Sequence, residues 1–427
     1  MTINRTLQPP LYPISQLQIP EVQQTRLDNQ IPMHYLNLGT QELVKLQISI
    51  PAGTTYQQKT LQAFYTNKML KEGSCNFSAT QIAENIDFYG AFFETRLSHD
   101  RAYVNIFSLN KYLPKVLEVV ADVLTNPLFA QKEFAVLQEQ ELQAFNYRMK
   151  KVKNLAQREF NERLFGDSHP YGKTAKPEDY TSMKTTDLSD FFNQQYQPAH
   201  WHLYLSGLVT PQVLETVNEH LGHLTSKVSS PVMENIPEPE TQSGSFFTEQ
   251  KDAMQTALKM GMLTISRQHE DFAALSLTET IFGGFFGSRL MQNIREDKGY
   301  TYGIYSSIQN LKHANILSIS SEVGSEVAQN TLDEIYIEMD RMKNELVDDE
   351  ELQLVKNYMA GSLLRSLNGP FALGEMMRMV SEEQLPTDYY IQYIKRVQQV
   401  SALEVREMAQ RYFNQESFTV VLAGSKQ

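Results

Sequence analysis

The sequence predicts an α+β protein made of two similar halves, each a mixed β-sheet packed with helices. Three observations predict it. A helical run through Thr186-Asp187-Leu188-Ser189-Asp190-Phe191-Phe192 leads to Tyr196 and then to a strand, His202-Leu203-Tyr204-Leu205-Ser206-Gly207. The same order recurs from Ser401 through Arg411-Tyr412-Phe413 to Phe418-Thr419-Val420-Val421-Leu422-Ala423-Gly424, at an offset of 215 to 217 residues. Second, Glu84-Asn85-Ile86-Asp87-Phe88-Tyr89-Gly90 is echoed by Gln292-Asn293-Ile294-Arg295 and Gly299, at an offset near 208. Third, the β-type run 43–50 before Pro51-Ala52-Gly53 is matched in place by 254–265. Echoes that keep their order at nearly one offset are the mark of a duplicated unit.

The elements follow in chain order. Alternating runs at 103–107 and 316–320 predict strands. Helical periodicity predicts helices over 113–124, 132–165, 327–343 and 349–367. Ser78-Ala79-Thr80-Gln81 and Ser401-Ala402-Leu403-Glu404 have the capping-box pattern, in which the hydroxyl accepts from a free helical N–H and the Gln or Glu reaches back. Gly90 stands where a left-handed helix stop belongs. Between the halves, 226–250 holds Ser229-Ser230-Pro231 and Pro237-Glu238-Pro239-Glu240 and predicts a solvated linker, with Ile236 and Phe246-Phe247 able to dock. The expected organisation is therefore an N-terminal domain over 1–225, a linker over 226–250 and a C-terminal domain over 251–427.

Composition narrows the class. The chain has 427 residues, 41% hydrophobic and 21% charged, as in an ordinary globular protein. With 38 Lys+Arg against 50 Asp+Glu it carries a formal charge of −12, which argues against nucleic acid or an anionic membrane surface as partner. One cysteine, Cys75, leaves no intrachain disulfide framework and no cysteine-based zinc cluster. No signal-peptide-like run opens the sequence, and no apolar run approaches the ~18 residues that span a bilayer. A cytoplasmic location is expected.

Read as chemistry alone, the residues form no catalytic centre. His200 and His202 would share a strand face, and His220 and His223 a helix face, but zinc needs at least three protein ligands and neither pair has a third at a telling spacing. Arg148, Lys150, Lys151 and Lys153 read as a solvated helix face. Gly283-Gly284-Phe285-Phe286-Gly287-Ser288 lacks both the lysine of a phosphate loop and the spacing of a dinucleotide fingerprint, and leads into a helix carrying Arg289 to Arg295. There is no G-x-S-x-G elbow.

One stretch nevertheless resembles a known family. Gly283-Gly284, Ser288-Arg289-Leu290 and Ile294-Arg295-Glu296-Asp297-Lys298-Gly299-Tyr300-Thr301-Tyr302 look like the second-half signature of M16 (pitrilysin/insulinase-like) zinc peptidases. Leu27-Asp28-Asn29-Gln30-Ile31-Pro32 resembles that family's opening strand, with Gln30 where glycine is usual. His169-Pro170-Tyr171-Gly172 is similar to its short HPYG motif. The resemblance implies the two-halved fold of the mitochondrial-processing-peptidase-like metallohydrolases.

It also implies a zinc site that these residues do not complete. The family carries His-x-x-Glu-His on a first-half helix, two zinc-binding imidazoles one turn apart and a glutamate that activates water, with a second glutamate about 75 residues on. Met69-Leu70-Lys71-Glu72-Gly73-Ser74 resembles the segment that follows this motif. Counting from it puts Phe64, Asn67 and Lys68 at the His, Glu and His positions, and Ala144 at the distal glutamate. An ammonium at a ligand position repels a dication, and a phenyl ring offers no lone pair. No metal or other cofactor is expected in this chain.

The second-half signature is intact. In the family an arginine and a tyrosine seven residues later hold the substrate backbone at the zinc site, and Arg295 and Tyr302 match them. The resemblance thus implies a non-catalytic, substrate-binding subunit of a heterodimeric metallopeptidase. It would be inactive alone, closing on peptides or small unfolded proteins with a partner M16 subunit that carries His-x-x-Glu-His and the zinc. The alternative is a structural or assembly protein that kept the fold and takes no part in proteolysis.

Overall fold

The computed structural model describes residues 19–227 and 236–426. Among the described residues, eleven strands fall into two sheets. The first contains β1 (Gln23–Arg26), β2 (Pro32–Asn37), β3 (Leu43–Ile50), β4 (Phe92–Leu97), β5 (Ala102–Leu109) and β6 (His202–Gly207), in the order β1-β2-β6-β3-β5-β4. The second contains β7 (Gly244–Glu249), β8 (Gln255–Thr264), β9 (Thr301–Asn310), β10 (Asn315–Gly324) and β11 (Thr419–Gly424), in the order β7-β11-β8-β10-β9. Without β1, the two orders are the same.

Strand directions repeat as well. β2 runs parallel to β6 as β7 does to β11, and the remaining neighbours are antiparallel in both sheets. β2 and β7 begin at residues 32 and 244, and β6 and β11 at 202 and 419, offsets of 212 and 217. Gly90 and Gly299, the paired helix stops, both take left-handed φ, +60° and +67°. Both capping boxes form: Ser78 Oγ accepts from Gln81 N while Gln81 reaches back, and Ser401 and Glu404 do the same.

One face of each sheet packs on a main core. Val44, Leu46, Ile48, Val104, Ile106, Leu203 and Leu205 form the first core with helix Leu113–Thr125 and helix Pro211–Leu221. Leu258, Met260, Leu317, Ile319 and Val420 form the second with helices Ala328–Asn344 and Ala402–Tyr412. At about 25 cal/mol per Å² of apolar surface removed from water, these two cores dominate stability.

The opposite faces are covered by an exchange. Helix Val152–Phe165, from the first half of the sequence, lays Ala156, Phe160 and Leu164 on Ala257, Ile316, Val421 and Ala423 of the second sheet. Helix Pro370–Glu382, from the second half, lies on β2 and β6, where Met377 meets Leu36 and Tyr204. The second contact is largely polar. Glu375 pairs with Lys45, Ser49 Oγ donates to Glu382 at 2.5 Å, and Tyr103 donates to the same carboxylate at 3.1 Å.

Three expectations are corrected. The helix expected over 132–165 is two helices, Gln131–Arg148 and Val152–Phe165, because its ends pack on different halves. Phe134, Phe145 and Ala156 are each about three helical turns apart, so the apolar period runs straight through the break. The span 226–250 is not linker throughout, since β7 occupies Gly244–Glu249; its Ser229-Ser230-Pro231 lies outside the described residues. Leu27 to Pro32 is mostly the turn between β1 and β2 rather than a strand. Gln30 sits there at φ +71°, which explains why a glycine would suit it.

The HPYG segment is a structural clasp. His169 is wholly buried and its Nδ1 accepts from Tyr171 N at 3.0 Å. Tyr171 Oη donates to the Asp100 carboxylate, 2.8 and 2.9 Å from its two oxygens, tying the end of the exchanged helix to the β4–β5 turn. Gly172 passes so close to Gly166 that a Cβ would lie 2.1 Å from its carbonyl oxygen.

Candidate functional site

Helix Gln62–Met69 carries the three motif positions. Phe64 is half-buried, and the Lys68 ammonium lies 5.0 Å from its ring centroid. Asn67 is buried, its amide donating to Tyr196 Oη at 3.2 Å and to Arg96 O at 3.4 Å. Burial raises the Tyr196 phenol well above its ordinary pKa, so it stays neutral and available as acceptor. Lys68 forms an ion pair with Glu141, a turn before Ala144 on helix Gln131–Arg148, and Arg148 Nη2 stands 3.8 Å from the same carboxylate.

This constellation does not fit zinc. Position 64 has no donor atom, position 68 carries a cation already held by the nearest carboxylate, and Ala144 offers nothing. Among the described residues, no group of three or more His, Cys, Asp or Glu gathers where a metal ion would be held. Of the histidine pairs, His200 lies in the turn Pro198–His200 and His202 in β6, so they do not share a strand. His202 instead stacks on His34, their nitrogens 2.6 Å apart, and burial beside that ring pulls its pKa down to about 4. His220 and His223 hydrogen-bond the backbone carbonyls four residues before them.

Arg295 and Tyr302 do come together. A π-helical turn over Met291–Asp297 carries Arg295, and Gly299 reverses the chain into β9. Arg295 lies 4.6 Å from the Phe286 ring centroid and 3.7 Å from Glu296, and stays one-third exposed. Tyr302 sits on a β-bulge. Between Ser321 and Val323 the β9–β10 register slips by one, so Tyr302 and Gly303 together oppose Glu322. The Thr301 hydroxyl holds the bulge, accepting from Gly303 N at 3.1 Å and donating to Glu322 O at 2.7 Å. Bulges re-aim side chains, and here Tyr302 is left 94% exposed.

Both side chains line one cleft of about 620 Å³ with Gln255, Glu322 and Glu326. No residue of helix Gln62–Met69 lines it. A guanidinium with free N–H groups beside an exposed phenol supplies two hydrogen-bond donors suited to peptide carbonyl oxygens. The glycine-rich segment behind it is packing: a Cβ on Gly283 would lie 2.6 Å from Ser306 Oγ. The bulge and the Phe286 contact had no sequence signal beyond an aromatic residue near the arginine.

Two sheets of repeated order, a helix exchange and this paired Arg and Tyr define a two-domain metallopeptidase-like fold. Residues 34–175 match the family described as insulinase (peptidase family M16), and residues 182–359 match the peptidase M16 inactive domain; between them they take in most of the chain. The chain belongs to peptidase family M16. It is 23% identical to an uncharacterized zinc protease of Bacillus subtilis, covering 78% of this chain and 81% of that one. It is 25% identical to an uncharacterized zinc protease of Mycobacterium bovis, covering 85% and 84%. Among solved structures, a peptidase M16 inactive domain from Pseudomonas fluorescens superposes with a TM-score of 0.87 at 24% identity, covering 96% of this chain and 99% of that one. A protease from Helicobacter pylori also gives 0.87, at 16% identity, covering 95% and 100%. Among the described residues, no helix is long and apolar enough to cross a membrane.

Proposed function

We propose that this chain is the non-catalytic, substrate-binding subunit of a heterodimeric M16 zinc metallopeptidase that cleaves peptides or small unfolded proteins in a closed chamber. The carrying observation is the contrast between the two halves. Lys68, at a position that the resemblance assigns to a zinc ligand, is ion-paired, whereas Arg295 and Tyr302 line an open cleft with their donors accessible. An ion pair between Lys68 and Glu141 supplies no Lewis acid, so the zinc and its water come from a partner subunit with His-x-x-Glu-His. This chain contributes the hydrogen-bond donors that orient the substrate backbone, and one wall of the chamber. Neither nucleic acid nor a membrane enters this reading.

The test is reconstitution. The purified chain is mixed with an M16 chain that carries the complete zinc motif, and cleavage of a quenched fluorescent peptide is followed. Activity that appears only in the mixture supports the assignment. A stable complex that never cleaves would favour an assembly role instead, and stoichiometric zinc in this chain alone would overturn the reading.

A further inference from the structure

The two exchanged helices meet their sheets with different chemistry, and the difference leaves a lysine without a counter-charge. In the first sheet, Gln47 pairs with Tyr204 and Asn105 across the strands; in the second, Lys259 holds the corresponding place, pairing with Val421 and Ser320. Gln47 donates to Asn105 Oδ1 at 2.7 Å and lies 3.4 Å from Glu375 on the covering helix, and the neighbouring Lys45 is paired with that same glutamate. Over Lys259 the covering helix offers a ring instead: the ammonium lies 5.4 Å from the Phe160 centroid. Its hydrogen bonds go to two hydroxyls, Ser320 Oγ at 2.8 Å and Ser318 Oγ at 3.2 Å. Among the described residues no carboxylate pairs with it.

Beside this lysine is a cavity of about 470 Å³, lined also by Lys153, Gln157, Tyr305 and Ser307. It adjoins the Arg295 cleft, since Gln255, Thr301, Tyr302 and Glu322 line both. Glu322 therefore stands at the junction, and the far end holds two cations and neutral hydroxyl and amide groups. Burial and the neighbouring Lys153 pull the Lys259 ammonium down to about 8, the mark of a charge that lacks a partner. The chain as a whole is acidic, so this local excess of positive charge is not a by-product of composition.

We infer that the Lys259–Lys153 cavity is a subsite for a carboxylate of the bound peptide, either an acidic side chain or a C-terminus. That the ligand is a peptide rests on the function proposed above. A backbone lying against Arg295 and Tyr302 passes the cavity mouth at Tyr302, so a side chain or chain end on that side enters it. The carboxylate completes the charge pairing that Glu375 supplies to Lys45 in the other half.

Four fluorescein-labelled peptides test the subsite, alike except for Glu or Gln at one internal position and a C-terminal acid or amide. Each is titrated into the full-length chain and followed by fluorescence anisotropy. Peptides with the relevant carboxylate should bind about tenfold tighter than the doubly neutral peptide, the size expected of one charge-assisted hydrogen bond. The arm that carries the difference identifies the source of the carboxylate. Lys259→Gln should abolish the preference. Lys153→Gln, an exposed change that leaves the fold intact, should reduce it several-fold and decides the matter if the first variant fails to fold. Equal affinity for all four peptides, or a preference unaltered in the folded variants, overturns the subsite. Because this readout is binding by the chain alone, it is separate from the reconstitution assay: a heterodimer that cleaves without any acid preference would sink the subsite and leave the subunit role standing.

Discussion

Lys68 and Glu141 are joined in an ion pair that bridges helix Gln62–Met69 and helix Gln131–Arg148, with the glutamate side chain 11% exposed and the lysine side chain 43% exposed. Lys68 holds a position that the family resemblance assigns to a zinc ligand. Glu141 comes 73 residues after Lys68, against the 76 counted to Ala144, so the carboxylate present lies one helical turn before the position predicted for it.

That geometry makes zinc binding restorable. Phe64 and Lys68 lie one turn apart on one helix face, so Phe64→His with Lys68→His presents two imidazoles beside the Glu141 carboxylate, the minimum set of three ligands. The double variant is expected to retain one zinc per chain after gel filtration and to lose it when Glu141→Ala is added. Either histidine alone should retain none. A metal-free double variant would show that Glu141 cannot turn from an ammonium to a dication.

The Arg295 and Tyr302 donors are expected to act on turnover and not on assembly. In the reconstituted heterodimer, Arg295→Ala or Tyr302→Phe should lower kcat by about 10²-fold, the usual loss for a donor aimed at developing charge. The elution volume of the complex should not change, because Tyr302 is already exposed and makes no packing contribution. Steady-state kinetics beside analytical gel filtration separates the two effects. Unchanged cleavage would remove the role assigned to the pair.

A buried acid predicts a pH-dependent stability. Burial pushes the Glu279 carboxyl from its ordinary 4.5 up to about 7, although Ser306 Oγ donates to it at 2.6 Å and opposes the rise. The folded chain therefore holds this proton more tightly than the unfolded chain. Its contribution is fully present below about pH 4.5, declines as pH rises, and is lost above about 7. Glu279→Gln keeps the shape and removes the titration. It should match the parent near pH 5 and exceed it at pH 8 by an amount of the order of 2–3 kcal/mol. Denaturant melts at the two pH values measure this, and parallel profiles for parent and variant would contradict it.

The clasp at Tyr171 sets a further expectation. Its hydroxyl is the donor to a carboxylate that is largely shielded from solvent, so Tyr171→Phe leaves Asp100 short of a bond. A loss of about 1.5–3 kcal/mol is expected, as for hydrogen bonds to charged groups. Asp100→Asn, which keeps an acceptor, should cost less. Urea unfolding of the two variants distinguishes a clasp from an incidental contact, which would leave both at parental stability.

The repeat was legible because it is written in local patterns. Strand alternation at 103–107 and 316–320, the two capping boxes and the glycine stop at Gly90 depend on neighbours a few residues away, and each appears where the pattern places it. The break at Met149–Lys151 was not legible, because the apolar period continues in phase across it. Nor was β7, whose exposed alternation among Pro, Glu and Ser residues resembles a tether. At the candidate site, the types at positions 64, 67, 68, 295 and 302 were readable one by one, but not which of them meet.

By itself, then, the sequence determined a duplicated α+β chain, the residues Phe64, Asn67 and Lys68 at positions that the resemblance aligns with a zinc motif, and an arginine and a tyrosine seven residues apart. Only the tertiary structure decided that the halves trade helices, that Lys68 is held by Glu141, and that Tyr302 rides a bulge into the cleft of Arg295. The reason is range. Propensity and periodicity act over one or two turns, whereas Glu375 over Gln47 and Phe160 over Lys259 join residues more than ninety positions apart, and which charge goes unpaired is settled only when the two halves close on each other.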